Sequence, residues 1–371
     1  MQLRVPPLQL GRRLRGSGFS GVLQLWYYFI MEQLTSRERV IKTLNHQPVW
    51  PIPRDIWALP GVTEGRGEEF QRLIDKFPSD FTNPVGHYGV GKRAKGRVYE
   101  VGEYTDAWGC IWQVAQRGII GEVKHPPLSD WSKLADYKPP YELLDGADLG
   151  GVNKNCARTD KFVIIGTETR PFERLQFLRG SEAVFIDLAY GAKEIRVLLD
   201  MLHDFYCREM RMWAETDVDA VSFMDDWGSQ AGMLISPDMW RDLFKPLYRD
   251  YCDILREKGK YIFFHSDGHI AAIYPELIEI GIDAINSQLF CMDIEDLGRR
   301  FNGKVTFWGE IDRQHILPFG TQDEVRGAVR RVRKALDNGN GGVIALAEFG
   351  INDPYENIEA VYDEWNKPKD Y

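Results

Sequence analysis

The sequence predicts a parallel (β/α)8 TIM barrel carrying an inserted aromatic, glycine-rich β-excursion. Eight apolar, strand-type runs recur along the chain, over 52–58, 77–82, 162–166, 220–224, 261–265, 284–287, 305–309 and 343–347. Amphipathic helical stretches separate the later runs, the regular alternation of a parallel barrel rather than of a doubly wound sheet. Five of the runs also give way abruptly to carboxylates, and barrels present their chemistry at the C-terminal ends of their strands.

The elements follow in order. Thr35 stands three positions before Glu38, a capping pattern, and Val40, Ile41 and Leu44 follow at helical spacing. Pro48, Pro51 and Pro53 stop that helix and lead into the first strand. Residues 86–152 break the alternation: glycine-rich, with Tyr99, Tyr104, Trp108, Trp112 and Trp131, they predict a β-hairpin and then an irregular linker, serving as a lid or as a subunit contact in a homodimer. Helices are expected over 182–202 with a continuation to 215, and over 237–258, 270–280, 294–301 and 323–337.

With 371 residues and 44% hydrophobic content, the chain can bury one barrel or two smaller domains. A net charge of -9 without a basic stripe argues against a nucleic-acid surface. The five cysteines are scattered, with no CxxC pair, which signals neither a disulfide framework nor a sulfur-rich zinc site and fits a cytoplasmic protein. Residues 1–30 read differently: Arg4, Arg12, Arg13 and Arg15 precede an apolar run over 21–30 that is too short to span a bilayer and lacks a small-residue cleavage site. This segment is expected to be a disordered leader or the product of an over-extended start, with the barrel domain running over 31–371.

The residues after each apolar run are the candidates for chemistry: Asp55 within the first, then Glu168, Asp225 and Asp226, His265 and Asp267, Glu310 and Asp312, and Glu348. Grouped carboxylates repel unless a cation, protons or arginines accompany them, so the set favours a cationic or metal-containing pocket. The alternative for any single one is a cap on the following helix. His265, Asp267 and Glu348 would offer one nitrogen and two oxygen ligands, which suits zinc in an open catalytic site. Asp225 and Gln230 are favoured over Asp226 as the polar contacts of a second cluster, Asp226 reading as a turn residue before Gly228. His269 reads as a helix cap.

From about Thr35 onward the chain resembles the uroporphyrinogen decarboxylase superfamily. The matching stretches are the opening helix, the block from Asp225 to Gln230 followed by Ile235, Ser236 and Pro237, the run from Phe264 to Gly268, that from Trp308 to Asp312, and the late strand leading to Asp353, Pro354 and Tyr355. The resemblance implies a barrel and one of two chemistries: cofactor-free decarboxylation of a tetrapyrrole's acetate arms, or zinc-dependent methyl transfer from a methylated corrinoid protein to a thiol. In the methyltransferases the zinc ligands resemble a His-x-Cys-Gly motif and a late Cys. Here His265 matches the first ligand, Asp267 stands where the first Cys would be, and Phe349 takes the place of the second, so that Glu348 or water would complete the set. The decarboxylase pattern departs further, since Arg54 followed by Asp55 replaces an arginine-rich first strand.

The expected function is therefore a metal-dependent methyltransferase-like enzyme moving a methyl group between a corrinoid protein, or a small methylated compound, and an acceptor. Asp225, Gln230 and Glu310 are its expected catalytic residues, and Arg54, Asp55, Glu168, Asp226 and Trp308 its expected substrate contacts. The alternatives are a porphyrinogen-type decarboxylase and a catalytically silent, ligand-binding barrel.

Overall fold

The computed structural model describes residues 34–369, and the expected leader over 1–30 lies outside them. Eight parallel strands are ordered β1 (Arg54–Ala58), β11 (Val343–Phe349), β10 (Thr306–Trp308), β9 (Ala284–Ser287), β8 (Tyr261–Ser266), β7 (Ala220–Met224), β6 (Phe162–Gly166) and β2 (Phe81–Thr82). Every predicted run contributes one strand. The β1–β2 seam lacks a ladder and is held at its lower end by Asp80, whose N–H donates to the Arg54 carbonyl at 2.9 Å and whose carboxylate accepts the Arg54 N–H at 2.8 Å.

Side chains along a strand alternate between faces, and this sorts the barrel cleanly. Phe162, Ile164, Phe263, Trp308, Ile344 and Leu346 form the interior cluster, while Val163, Val221, Phe223, Ile262, Phe264, Ala345 and Ala347 pack against the surrounding helices. Helix Ser36–Leu44, opened by the Thr35–Glu38 capping box, puts Val40 and Leu44 into the interior cluster and plugs the N-terminal end of the barrel. The open end therefore lies at the C-terminal ends of the strands.

Two expected helices are broken. The stretch 182–215 divides into Ser181–Tyr190 and Lys193–Ala214, because Gly191 adopts a left-handed conformation (φ 66°) that ends the first. The stretch 237–258 divides into Pro237–Leu243 and Lys245–Arg256, with Pro246 in the first turn of the second. The helix expected from 270 starts only at Tyr274, with Ile273 at its cap, so His269 is not a cap residue. Among the described residues no helix is long and apolar enough to cross a membrane.

The insertion is a three-stranded antiparallel sheet, β3 (Gly102–Thr105), β4 (Ile111–Val114) and β5 (Glu122–His125), rather than a hairpin. It packs on the barrel's own helices: the Trp108 indole lies against Phe205, with ring centroids 4.8 Å apart, and under the Arg174 guanidinium at 4.5 Å. Beneath it, buried Glu209 accepts from the Tyr88 hydroxyl at 2.6 Å, the Thr169 hydroxyl at 2.8 Å and the Glu168 N–H at 3.1 Å. Burial nevertheless pushes its carboxyl from the ordinary 4.5 up to about 7. The folded state thus holds an extra proton between those values, so this contribution to stability is complete at low pH and is lost as pH rises through about 7. Glu209→Gln is expected to flatten that dependence, removing up to about 3 kcal/mol of the difference in urea-unfolding free energy between about pH 5 and about pH 8.

Candidate metal centre at the barrel mouth

Strand alternation also decides which strand-end residues reach the interior. On β8, Phe263 and His265 face inward, and Asp267 continues that face. On β7, Ser222 and Met224 line the interior cavity, which puts Asp226 on the same side and Asp225 on the other. Two glycines then bring the loops after β7 and β8 into backbone contact: a Cβ on Gly268 would lie 2.2 Å from the Gly228 carbonyl carbon, and Gly268 itself has φ +77°. The Gly228 N–H donates to the Asp267 carbonyl at 3.1 Å, and the Asp267 N–H to Asp226 Oδ1 at 2.9 Å.

The result is a compact donor set. One ligand atom from each of Asp226, His265 and Asp267 lies within 4.8 Å of the others, and this is the one such group of three among the described residues. His265 Nε2 stands 3.5 Å from Asp267 Oδ1 and 3.7 Å from Asp226 Oδ1. Asp267 Oδ1 is buried yet accepts no hydrogen bond, a state that costs free energy unless a cation or proton completes it.

Asn286, the neighbour of His265 on β9, sets the imidazole. Its Nδ2 donates to the Trp308 carbonyl at 2.7 Å, which leaves Oδ1 facing His265 Nδ1 at 2.5 Å. The proton therefore belongs on Nδ1, and Nε2 presents its lone pair to the two carboxylates, as a histidine ligand requires. These residues fit a divalent ion: a ring nitrogen with its tautomer fixed, two carboxylates and an orphaned buried oxygen.

Three expected residues are placed differently. Glu348 faces inward but is engaged by Arg313, whose Nη1 lies 3.0 Å away, and it does not join the donor set. Asp225 is fully buried away from the cavity, where it accepts the N–H groups of Phe172 and Glu173, each at 2.7 Å, and the Tyr248 hydroxyl at 2.6 Å. It anchors the start of helix Pro171–Arg179, and Asp226, read as a turn residue, takes the position facing the site. Arg54 is absent from the cavity wall and lies beside Asp80.

The other expected residues frame the site. Glu168 pairs with Arg174 at 3.0 Å on the rim beneath the insertion. Gln230 lines a smaller neighbouring cavity of about 70 Å³, together with Glu310 and Arg313, and its Oε1 lies 3.2 Å from the Cys291 thiol. Phe349, the counterpart of the second thiolate, points outward under the Arg66 guanidinium, so that position cannot supply a ligand.

Arg313 is the residue that the sequence reading missed. Its guanidinium reaches the carboxylates of Asp267, Glu348 at 3.0 Å and Glu310 at 3.9 Å. Glu310 is almost wholly buried with Oε1 unpartnered, and burial pushes its carboxyl up to about 7 despite the nearby Arg313 charge. Glu173, partly buried, is pushed up to about 6, chiefly by desolvation. Two acids able to exchange protons near neutrality thus flank the donor set.

Below the donor set a cavity of about 480 Å³ occupies the barrel interior, walled by Asp55, Trp57, Phe81, His265 and Trp308 among others. It extends through the β1–β2 seam to Phe70 and Ile74 on helix Gly67–Lys76.

A family model for uroporphyrinogen decarboxylase (URO-D) matches residues 105–367, more than half of the chain, beginning after the first two barrel strands. No curated protein matches the chain in sequence. Among solved structures, a methyltransferase from Methanosarcina mazei is similar in fold, with a TM-score of 0.66 at 14% identity over 90% of this chain and 99% of that one. A GH18 chitinase, ChiB, from Flavobacterium johnsoniae is similar more loosely, with a TM-score of 0.36 at 8% identity over 85% and 94% of the two chains. The family match spans six of the eight barrel strands and the Asp226, His265 and Asp267 positions, and on it the chain belongs to the uroporphyrinogen decarboxylase (URO-D) family.

Proposed function

We propose that this chain is a metal-dependent, methyltransferase-like enzyme that moves a methyl group between a corrinoid protein, or a small methylated compound, and an acceptor. The observation that carries the reading is the convergence of Asp226, His265 and Asp267 at the barrel mouth, with His265 Nε2 directed at both carboxylates. The methyltransferase from Methanosarcina mazei, similar in fold, supports the same branch of the family. One nitrogen and two oxygens make a harder donor set than thiolates would, suiting zinc or another divalent ion of borderline hardness.

A divalent ion held there would supply Lewis acidity, lowering the pKa of a bound thiol or hydroxyl acceptor. The chain's own residues do the rest. Asn286 keeps His265 in the tautomer that leaves Nε2 free. Arg313 bridges Asp267 and Glu348 and offsets the repulsion between their charges. Glu310, titrating near neutrality beside the donor set, receives the acceptor's proton. A corrinoid protein is the proposed transient partner.

The family's name favours decarboxylation as the second reading. Against it, among the described residues the cavity wall carries the carboxylates of Asp55 and Asp75 with Lys161 as its one Lys or Arg, a poor match for a substrate bearing many carboxylates. Zinc-loaded protein is expected to transfer methyl groups from a methylcorrinoid to a thiol, and metal-stripped protein to lose that activity. Turnover of uroporphyrinogen by metal-stripped protein would sink the proposal.

A further inference from the structure

The geometry points to a small methylated ammonium compound as the ligand of the barrel cavity, held by the Asp55 carboxylate within a wall of Trp57, Trp308 and Phe81. Asp55 is 8% exposed and lines the cavity. Its oxygens accept the Ile56 N–H at 2.9 Å, the Trp57 Nε1–H at 3.0 Å and the Ser79 hydroxyl at 3.2 Å. The three donors favour the ionised form of the carboxyl, while burial opposes it and holds its pKa above the ordinary 3.8. Among the described residues no Lys or Arg forms an ion pair with it, and Lys161, elsewhere in the same wall, makes none. A buried carboxylate without a counter-charge is costly, and a cation entering the cavity would offset that cost.

The aromatic groups specify which cation. Trp57 and Trp308 meet edge to face with centroids 4.8 Å apart, Phe81 stacks on Trp308 at 6.4 Å, and the Trp57 ring lies 5.4 Å from that of His265. Aromatic side chains lining a cavity beside a buried carboxylate favour a cation that is large, weakly hydrated and without strong donors, which describes a quaternary or tertiary methylammonium better than a metal ion or a primary amine. About 480 Å³ is ample for such a molecule and lies within the range of ordinary ligand pockets, roughly 300–1,000 Å³. Because His265 belongs to both the cavity wall and the donor set, the ligand's methyl groups would sit next to the proposed metal. Its use as a methyl donor rests on the methyl-transfer reading, whereas its binding stands on the cavity alone.

The test compares choline with 3,3-dimethylbutan-1-ol, its uncharged carbon isostere, by tryptophan fluorescence and calorimetry on metal-stripped protein. Choline is expected to bind at least about tenfold more tightly than the isostere, the advantage arising from charge and cation–π attraction. Asp55→Asn and Trp57→Leu are each expected to remove most of that preference. Equal binding of the two probes, no binding of choline, or a preference that survives both substitutions would overturn the inference. Should Asp55→Asn fail to fold, Trp57→Leu and the comparison on the unaltered protein decide the matter. Metal-stripped protein keeps the outcome separate from the methyl-transfer reading: a cavity that prefers choline in a chain that binds no metal would refute that reading alone.

Discussion

Arg313→Met is expected to destabilise the protein by roughly 3 kcal/mol, because removing one partner from a largely buried ion cluster strands the charges that remain. Arg313 is the cation shared by Asp267, Glu310 and Glu348, and Glu310 is buried with one oxygen already unpartnered. The loss should depend on pH. Glu310 in the intact protein takes up its proton near 7, above the ordinary 4.5, so the folded state binds more protons across that window and stability falls as pH rises through it. Without the guanidinium the folded value rises further, and the fall extends to higher pH. Urea unfolding of both proteins should therefore show a gap that widens above about pH 7. A gap that narrows with rising pH would show that Arg313 does not compensate Glu310.

Gly268→Ala is expected to cost roughly 3 kcal/mol, combining a left-handed backbone conformation, about 1–2 kcal/mol, with overpacking, about 1–3 kcal/mol. The added methyl would be placed against the backbone of Gly228, not against a flexible side-chain end that could swing away. The loops after β7 and β8 must then separate, and the Asp267 N–H bond to Asp226 Oδ1 at 2.9 Å is the first contact to go. Zinc affinity measured by competition with a chelator should fall at least about tenfold along with stability, since misplaced ligands lose both geometry and mutual support. Unchanged zinc binding in a destabilised Gly268→Ala protein would mean that loop contact does not position the donor set.

The barrel was legible because parallel strands buried on both faces read as continuous apolar runs, and all eight runs became strands. The helix interruptions were harder. Gly191 and Pro246 were visible, but a glycine or an early proline within an amphipathic stretch breaks the helix only where tertiary packing turns the chain. The antiparallel insertion has only four-residue strands, too short for periodicity to count.

At the site, His265 and Asp267 were legible as a strand-end pair. Asp226 and the outward-facing Phe349 were legible too, had the two-residue alternation been carried past each strand: Ser222, Met224 and Asp226 share one face, as do Ile344, Leu346 and Glu348. Asn286 had a signal as well, an amide interrupting the apolar start of β9, and buried polar groups inside parallel strands have a partner to satisfy. Arg313 had only a faint one. It follows Glu310 by three positions in a loop, and no periodicity tells where a loop arginine will point.

The central claim is that Asp226, His265 and Asp267, rather than Glu348, hold a divalent ion. Its most direct measurement is metal content after zinc loading and desalting, for the intact protein and for four single variants. The account predicts about one zinc per chain in the intact protein and in Glu348→Ala, and loss of most of it in Asp226→Ala, His265→Ala and Asp267→Ala. Full zinc retention in Asp226→Ala together with loss in Glu348→Ala would contradict it.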